Sequence, residues 1–160
     1  MRVYFLRHGL AGDRADWHGD DFYRPLTGEG VKKMKQEAKT IARLDLKLDA
    51  IITSPLVRAA QTAQIVAKQL RLGEVLIQDD NLGLDFDSNG LRLVIEKHRA
   101  AEALMLVGHE PSMSRTIGQI VGGARIVLKK GALVCVELDP GSLRGELLWL
   151  VSPKILAQNF

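Results

Sequence analysis

The 160-residue chain contains one cysteine, Cys135. An intrachain disulfide is therefore excluded, and so is a cysteine-based metal site. Cys135 lies within the apolar run Ala132-Leu133-Val134-Cys135-Val136 and reads as a buried strand residue. No apolar stretch approaches the ~20 residues that a helix needs to cross a bilayer. The first residues run directly into a strand pattern, so no signal peptide is expected and the protein is read as cytoplasmic. Neither sign of charge dominates: 22 Lys and Arg stand against 19 Asp and Glu, a formal net charge of +3. The dense basic patch of a nucleic-acid binder is absent, and only a mild bias toward acidic or phosphorylated partners remains. Repeats, low-complexity segments and linkers are also lacking, so residues 1–160 are read as a single domain.

Short apolar runs alternate with helical patterns. Strands are expected at Val3–Leu6, Ala50–Thr53, Val75–Gln78, Leu104–Val107, Leu133–Leu138 and Glu146–Val151. Between most of them, apolar residues recur at helical spacing. One set is Val31, Met34, Ala38, Ile41 and Ala42; a second is Ala59, Ala63, Val66 and Leu70. Leu91, Val94 and Ile95 form a third, and Met113, Ile117, Ile120 and Val121 a fourth. Such alternation predicts an α/β fold, a three-layer α/β/α sandwich around a mostly parallel sheet. The last two strands are joined by Asp139-Pro140-Gly141-Ser142 with no helix between. That is a turn signal, so the sheet is expected to be mixed and to end in a C-terminal antiparallel hairpin.

Chemistry-bearing residues recur where strands end. Arg7-His8-Gly9 follows Val3-Tyr4-Phe5-Leu6, joining a fixed cation to a nucleophilic imidazole at the edge where open α/β sheets bind ligands. In Thr53-Ser54-Pro55-Leu56-Val57-Arg58, Ser54 is expected to cap a helix and Pro55 to occupy its first turn. Arg58 then works against the helix dipole unless an anion offsets it. Val107-Gly108-His109-Glu110-Pro111 again links a strand to a helix. Each motif alone is compatible with a plain turn carrying a solvated side chain. In a parallel sheet, however, all three turns share one edge, so Arg7, His8, Arg58 and His109 can converge.

Two arginine forks match phosphate oxygens. One histidine is then available to attack phosphorus and the other to donate to the developing charge. Metal binding is the rival use of two histidines. It fits poorly beside two guanidiniums and without clustered carboxylates. No cofactor is implied.

This constellation resembles the histidine phosphatase superfamily, which includes phosphoglycerate mutases and acid phosphatases. The family's hallmark R-H-G appears as Leu6-Arg7-His8-Gly9. A family-like S-P-x-x-R-A-x-Q-T-A stretch runs from Ser54 to Ala63, and the later G-H motif is Gly108-His109. Within the superfamily the chain looks most like the small SixA-type phosphohistidine phosphatases. The pointers are its length, Arg24-Pro25-Leu26-Thr27-Gly28-Glu29-Gly30, and Lys129-Lys130-Gly131-Ala132-Leu133. The resemblance implies that His8 is the nucleophile and passes through a phosphohistidine intermediate. It further implies that Arg7 and Arg58 hold the phosphoryl oxygens and that His109 stabilises their charge. For His8 to attack, a backbone carbonyl must hold its other ring nitrogen.

Many superfamily members carry an acid after the third strand to protonate a leaving alkoxide. The matching stretch, Asp79 to Ser88, holds only weak candidates, Asp85 and Asp87, and Asp87 is better read as a helix cap. A general acid is typically worth 10²–10⁴-fold to a poor leaving group. A departing imidazole needs one far less. The expected function is therefore a protein phosphohistidine phosphatase, its partner class being the histidine phosphotransfer domains of two-component signalling. The alternatives are a small-molecule phosphomonoesterase or mutase of the same superfamily, and a non-catalytic phosphate-binding module. Gly9 and Arg24 are the substrate-binding candidates outside the core four, with Asp21 expected to steady Arg24. Trp17 and His18 are placed near the entrance, although His18 reads better as a solvated loop residue. His98 is read as surface at a helix end.

Overall fold

A computed structural model describes residues 1–158. The strands are β1 (Arg2–Arg7), β2 (Ala50–Thr53), β3 (Leu76–Gln78), β4 (Ala103–Gly108), β5 (Leu133–Leu138) and β6 (Gly145–Val151). The helices are α1 (Gly28–Arg43), α2 (Val57–Leu70), α3 (Ser88–Lys97), α4 (Ser112–Ile120) and the short α5 (Pro153–Leu156). The strands form one mixed sheet in the order β3-β2-β4-β1-β5-β6. β1 pairs with β4 in parallel, and β2 pairs in parallel with both β3 and β4. β5 runs antiparallel to β1, and β6 antiparallel to β5. The C-terminal hairpin thus closes as expected, with Asp139 accepting from the Gly141 and Ser142 amides at its turn.

Alternation along β1 explains the three layers. Val3 and Phe5 point to one face, where they meet Leu91, Val94 and Ile95 of α3 and Met113 and Ile117 of α4. Tyr4 and Leu6 point to the other face, against Met34, Ala38 and Ile41 of α1 and Ala59, Ala63 and Val66 of α2. Covering both faces is what makes the inner strands read as unbroken apolar runs. β4 is buried along its whole length, and Cys135 is buried within β5.

Two local differences from the sequence reading concern turns. Val75 ends a 3-10 turn instead of opening β3. The N-cap of α2 is Leu56, so Ser54 and Pro55 both precede the helix. The long segment after β1 is not featureless: it holds two 3-10 turns, 14–16 and 21–23, capped by Asp13 and Asp20. Gly30 is required at the start of α1, because a Cβ there would collide with the Leu10 carbonyl. Among the described residues, no helix is long and apolar enough to cross a membrane.

Candidate active site

β2, β4 and β1 are neighbours in the sheet, so their C-terminal ends lie side by side. The ladder continues one residue into each turn: the His8 amide donates to the Gly108 carbonyl, and the Ser54 amide to the Val107 carbonyl, both at 3.0 Å. Arg7, His8, Arg58 and His109 thereby line one cleft of about 500 Å³, together with Arg24, Asp21, Leu84, Glu110 and Lys130.

His8 is 5% exposed. Its Nδ1–H donates to the Gly9 carbonyl at 2.7 Å, which leaves Nε2 carrying the lone pair. Burial pushes the imidazole pKa down to about 3, against the Gly9 bond and with help from His109, Arg58 and Arg7. The Gly9 amide in turn donates to Thr62 Oγ1 (3.1 Å), which donates to the Arg58 carbonyl (2.8 Å). The His8 turn is thus pinned to α2.

His109 is 1% exposed and its ring centroid lies 5.3 Å from that of His8. Its Nε2 is 2.7 Å from Ser54 Oγ, and Ser54 Oγ also accepts from the Leu56 amide at 3.3 Å. Ser54 therefore serves His109 rather than capping α2. Burial, then the Arg58 charge, lowers the His109 pKa to about 4.

Each arginine is held by one end. Arg7 Nη1 donates to the Leu128 carbonyl at 2.8 Å. Arg58 Nη1 donates to the Asp21 carbonyl (2.8 Å) and Nη2 to Asp21 Oδ2 (3.0 Å). The anion that offsets Arg58 at the start of α2 is thus, in part, a side chain of the same chain. Burial would raise the Asp21 carboxyl, but Arg24, Arg58 and Arg14 together hold it below the usual range.

Four buried side-chain polar atoms lack a partner among the described residues: Arg7 Nε, Arg58 Nε, His109 Nδ1 and Thr40 Oγ1. Three of them belong to the cleft. A buried polar group left unpaired costs about 1–3 kcal/mol, so two guanidinium N–H donors and an imidazole nitrogen left unpaired in one cleft suit an oxyanion. Among the described residues, no group of three His, Cys, Asp or Glu is placed to hold a metal ion.

The remaining candidates separate. Asp87 accepts from the Gly90 amide as the N-cap of α3. Asp85 is exposed, and neither residue lines the cleft; Leu84 does. Gly9 lies behind His8, on the wall of a neighbouring cavity. Arg24 is buried and lines the cleft, but most of its fork is occupied: Nε donates to Asp21, and Nη1 to the Ala11 and Gly12 carbonyls. Trp17 and His18 are absent from the cleft lining. His98 is the C-cap of α3.

Sequence reasoning did not find the Ser54–His109 contact, the Asp21–Arg58 pair, or Glu110 and Lys130 on the cleft wall. The Ser-Pro pair signals a helix start so strongly that it masks the first. The second joins residues 37 apart, which no local spacing reveals.

A covered α/β sheet that brings two arginines and two buried neutral histidines to one edge defines an enzyme class that handles phosphoryl groups. Residues 3–83 match the histidine phosphatase superfamily (branch 1), and the chain belongs to that superfamily of phosphatases. The matched segment contains Arg7, His8 and Arg58; His109 lies beyond it. The chain is 34% identical to an uncharacterized protein of Picosynechococcus sp. (strain PCC 7002), over 98% of this chain and 99% of the relative. It is 26% identical to the phosphohistidine phosphatase SixA of Escherichia coli (strain K12), over 96% and 94%. Among solved structures it is similar to the protein histidine phosphatase SixA complexed with tungstate. That match has a TM-score of 0.85 at 24% identity, covering 98% of this chain and 99% of the other.

Proposed function

We propose that this chain is a protein phosphohistidine phosphatase that works through phosphorylated His8. The observation carrying the phosphoryl chemistry is the trio of buried, unpartnered nitrogens, Arg7 Nε, Arg58 Nε and His109 Nδ1, on residues that line the cleft with His8. His8 Nε2 attacks phosphorus, and the P–N bond to the substrate imidazole breaks with its electron pair on the departing nitrogen, which takes a proton from solvent. Water then attacks the His8 phosphoramidate, releasing inorganic phosphate and restoring the neutral ring. Arg7 and Arg58 bind the phosphoryl oxygens. His109 stays neutral and donates from Nδ1 when Ser54 donates to its Nε2.

The substrate reading rests on the carboxylates and Leu84 in the cleft lining. Asp21 is engaged by Arg24 and Arg58. Asp13 caps a turn, and Glu110 accepts from the Ser114 amide. Leu84 stands where the Asp79–Ser88 stretch meets the cleft. Among the described residues, the three carboxylates that line the cleft each already accept a hydrogen bond within the chain, which supports a leaving group that departs without a general acid, such as an imidazole. The similarity to SixA proteins supports the same reading. It also supports a phosphorylated protein as substrate; a histidine phosphotransfer domain as the partner class and the cytoplasm as the compartment are part of the same proposal.

The test compares turnover of a phosphohistidine-bearing phosphotransfer domain with that of sugar phosphates under identical conditions. Phosphohistidine is expected to be preferred in kcat/KM. A sugar phosphate favoured by orders of magnitude would instead identify a small-molecule phosphomonoesterase.

A further inference from the structure

We infer that Asp21 is a positioning residue: it turns Arg58 so that its Nε edge, not its Nη1–Nη2 end, meets the phosphoryl group, and it offsets part of the cleft's positive charge. This rests on the phosphoryl-binding reading of the cleft.

A guanidinium can grip an oxyanion end-on, through Nη1 and Nη2, or side-on, through Nε and one Nη. In Arg58 the end is already taken. Nη1 donates to the Asp21 carbonyl at 2.8 Å and Nη2 to Asp21 Oδ2 at 3.0 Å. Only the Nε edge is unpartnered, and it is fully buried. Arg58 itself is 2% exposed, so it has little room to re-orient. Asp21 is fixed from its own side: Oδ1 accepts from Arg24 Nε at 2.8 Å, and Arg24 closes the base of the loop onto the Ala11 and Gly12 carbonyls. One carboxylate thus joins two arginines of the cleft and sets the aim of the deeper one.

The charge has a second consequence. Arg7, Arg14, Arg24, Arg58 and Lys130 all line the cleft. A dianionic product among so many cations would be released slowly. A carboxylate 3.0 Å from Arg58 Nη2 repels that dianion and weakens its hold. Asp21 therefore trades product affinity for release while it keeps Arg58 aimed.

The test uses the full chain and inorganic phosphate as the probe, with affinity read by titration calorimetry so that it does not depend on turnover. Asp21→Asn keeps an acceptor oxygen and removes the charge. It is expected to bind phosphate several-fold more tightly than the parent, and to show a lower kcat on an aryl phosphate. Asp21→Glu keeps the charge and is expected to stay within about twofold of the parent in phosphate affinity. A merely structural role would reduce the active fraction and leave affinity per folded molecule unchanged. Unchanged or weaker phosphate binding by folded Asp21→Asn overturns the assignment. A vanadate complex of the parent gives an independent reading: Arg58 Nε within hydrogen-bond distance of the oxyanion is expected, and an end-on approach through Nη1 and Nη2 overturns it. A parent that binds phosphate but hydrolyses nothing would remove the phosphatase reading and leave this one standing.

Discussion

The Gly9 carbonyl accepts the Nδ1–H of His8 at 2.7 Å. A carbonyl can only accept, so this contact fixes the proton on Nδ1 and the lone pair on Nε2. The tautomer of the proposed nucleophile is thus set by the residue that follows it, whose own amide is tied to α2 through Thr62.

Replacing His8 with Ala tests that assignment. His8→Ala is expected to abolish turnover and covalent labelling by a phosphorylated substrate. Arg7, Arg58 and His109 remain, so vanadate or phosphate binding should be weakened without being lost. Retained hydrolysis in the variant would show that another group attacks.

The two buried imidazoles also set an acid limit. Both have folded-state pKa values below the ordinary 6.5, about 3 for His8 and about 4 for His109. Below pH 6.5 the unfolded chain takes up protons that the folded chain refuses. Stability that is fully present above pH 6.5 is therefore lost progressively as pH falls toward 4 and then 3. Melting temperatures measured across that range should decline, and His8→Ala should decline less steeply. For the same reason, kcat/KM, corrected for ionisation of the free substrate, should lack an acid limb near pH 6.5. A limb at that pH would show that His8 titrates as an ordinary imidazole.

Ser54 tests the other histidine. With Oγ gone, Ser54→Ala leaves His109 Nε2 buried without its 2.7 Å partner. The proton is then free to settle on Nε2, where it no longer serves the cleft. A loss of one hydrogen-bond preference, ~1 to 1.5 kcal/mol, corresponds to a kcat lower by about tenfold. The unpaired Nε2 should also lower the melting temperature by a few degrees, so kcat is read per folded molecule.

The fold was readable because β1, β2 and β4 are each covered on both faces, so apolar runs and helical spacing alternate without ambiguity. The convergence of Arg7, Arg58 and His109 followed from topology alone: parallel strands put their following turns on one edge. What escaped depends on the direction of single bonds. Ser54 satisfies a helix-start pattern in sequence, yet its hydroxyl faces His109 because α2 begins only at Val57. Asp21 was recognisable as a neighbour of Arg24, three residues on, but its hold on Arg58 arises only when the loop folds back over α2. The placement of Asp85 was hidden for a similar reason: a shift of one residue puts Leu84 on the cleft wall and leaves Asp85 exposed outside it.

A buried carboxyl outside the cleft should show itself as pH rises from 4.5 to about 7. Glu37 on α1 is 4% exposed, and burial raises its pKa to about 7, with Lys33 opposing. The folded state thus holds a proton that the unfolded state releases above pH 4.5. Stability present below pH 4.5 is lost as pH rises to about 7, and the deficit persists above it. Glu37→Gln removes the titration. Its melting temperature should match the parent near pH 4.5 and exceed it by a few degrees at pH 8. An equal difference at both pH values would place the Glu37 pKa near its ordinary 4.5.

Leu84 offers a way to change the leaving group the site accepts. It lines the cleft yet is 45% exposed, so a polar replacement there carries little packing cost. In Leu84→Glu the carboxyl would reach toward the departing oxygen of a bound phosphate ester. Positioned general acids typically contribute 10²–10⁴-fold; an unoptimised one should fall below that range, at about tenfold or less. Hydrolysis of an alkyl phosphate should therefore rise relative to the parent. Phosphohistidine turnover should not rise, since an imidazole departs without that help. The ratio of the two kcat/KM values is the quantity to measure. A ratio unchanged in the variant would mean that the leaving group exits past some other residue, and that the proposed preference for phosphohistidine does not originate in the apolar wall at Leu84.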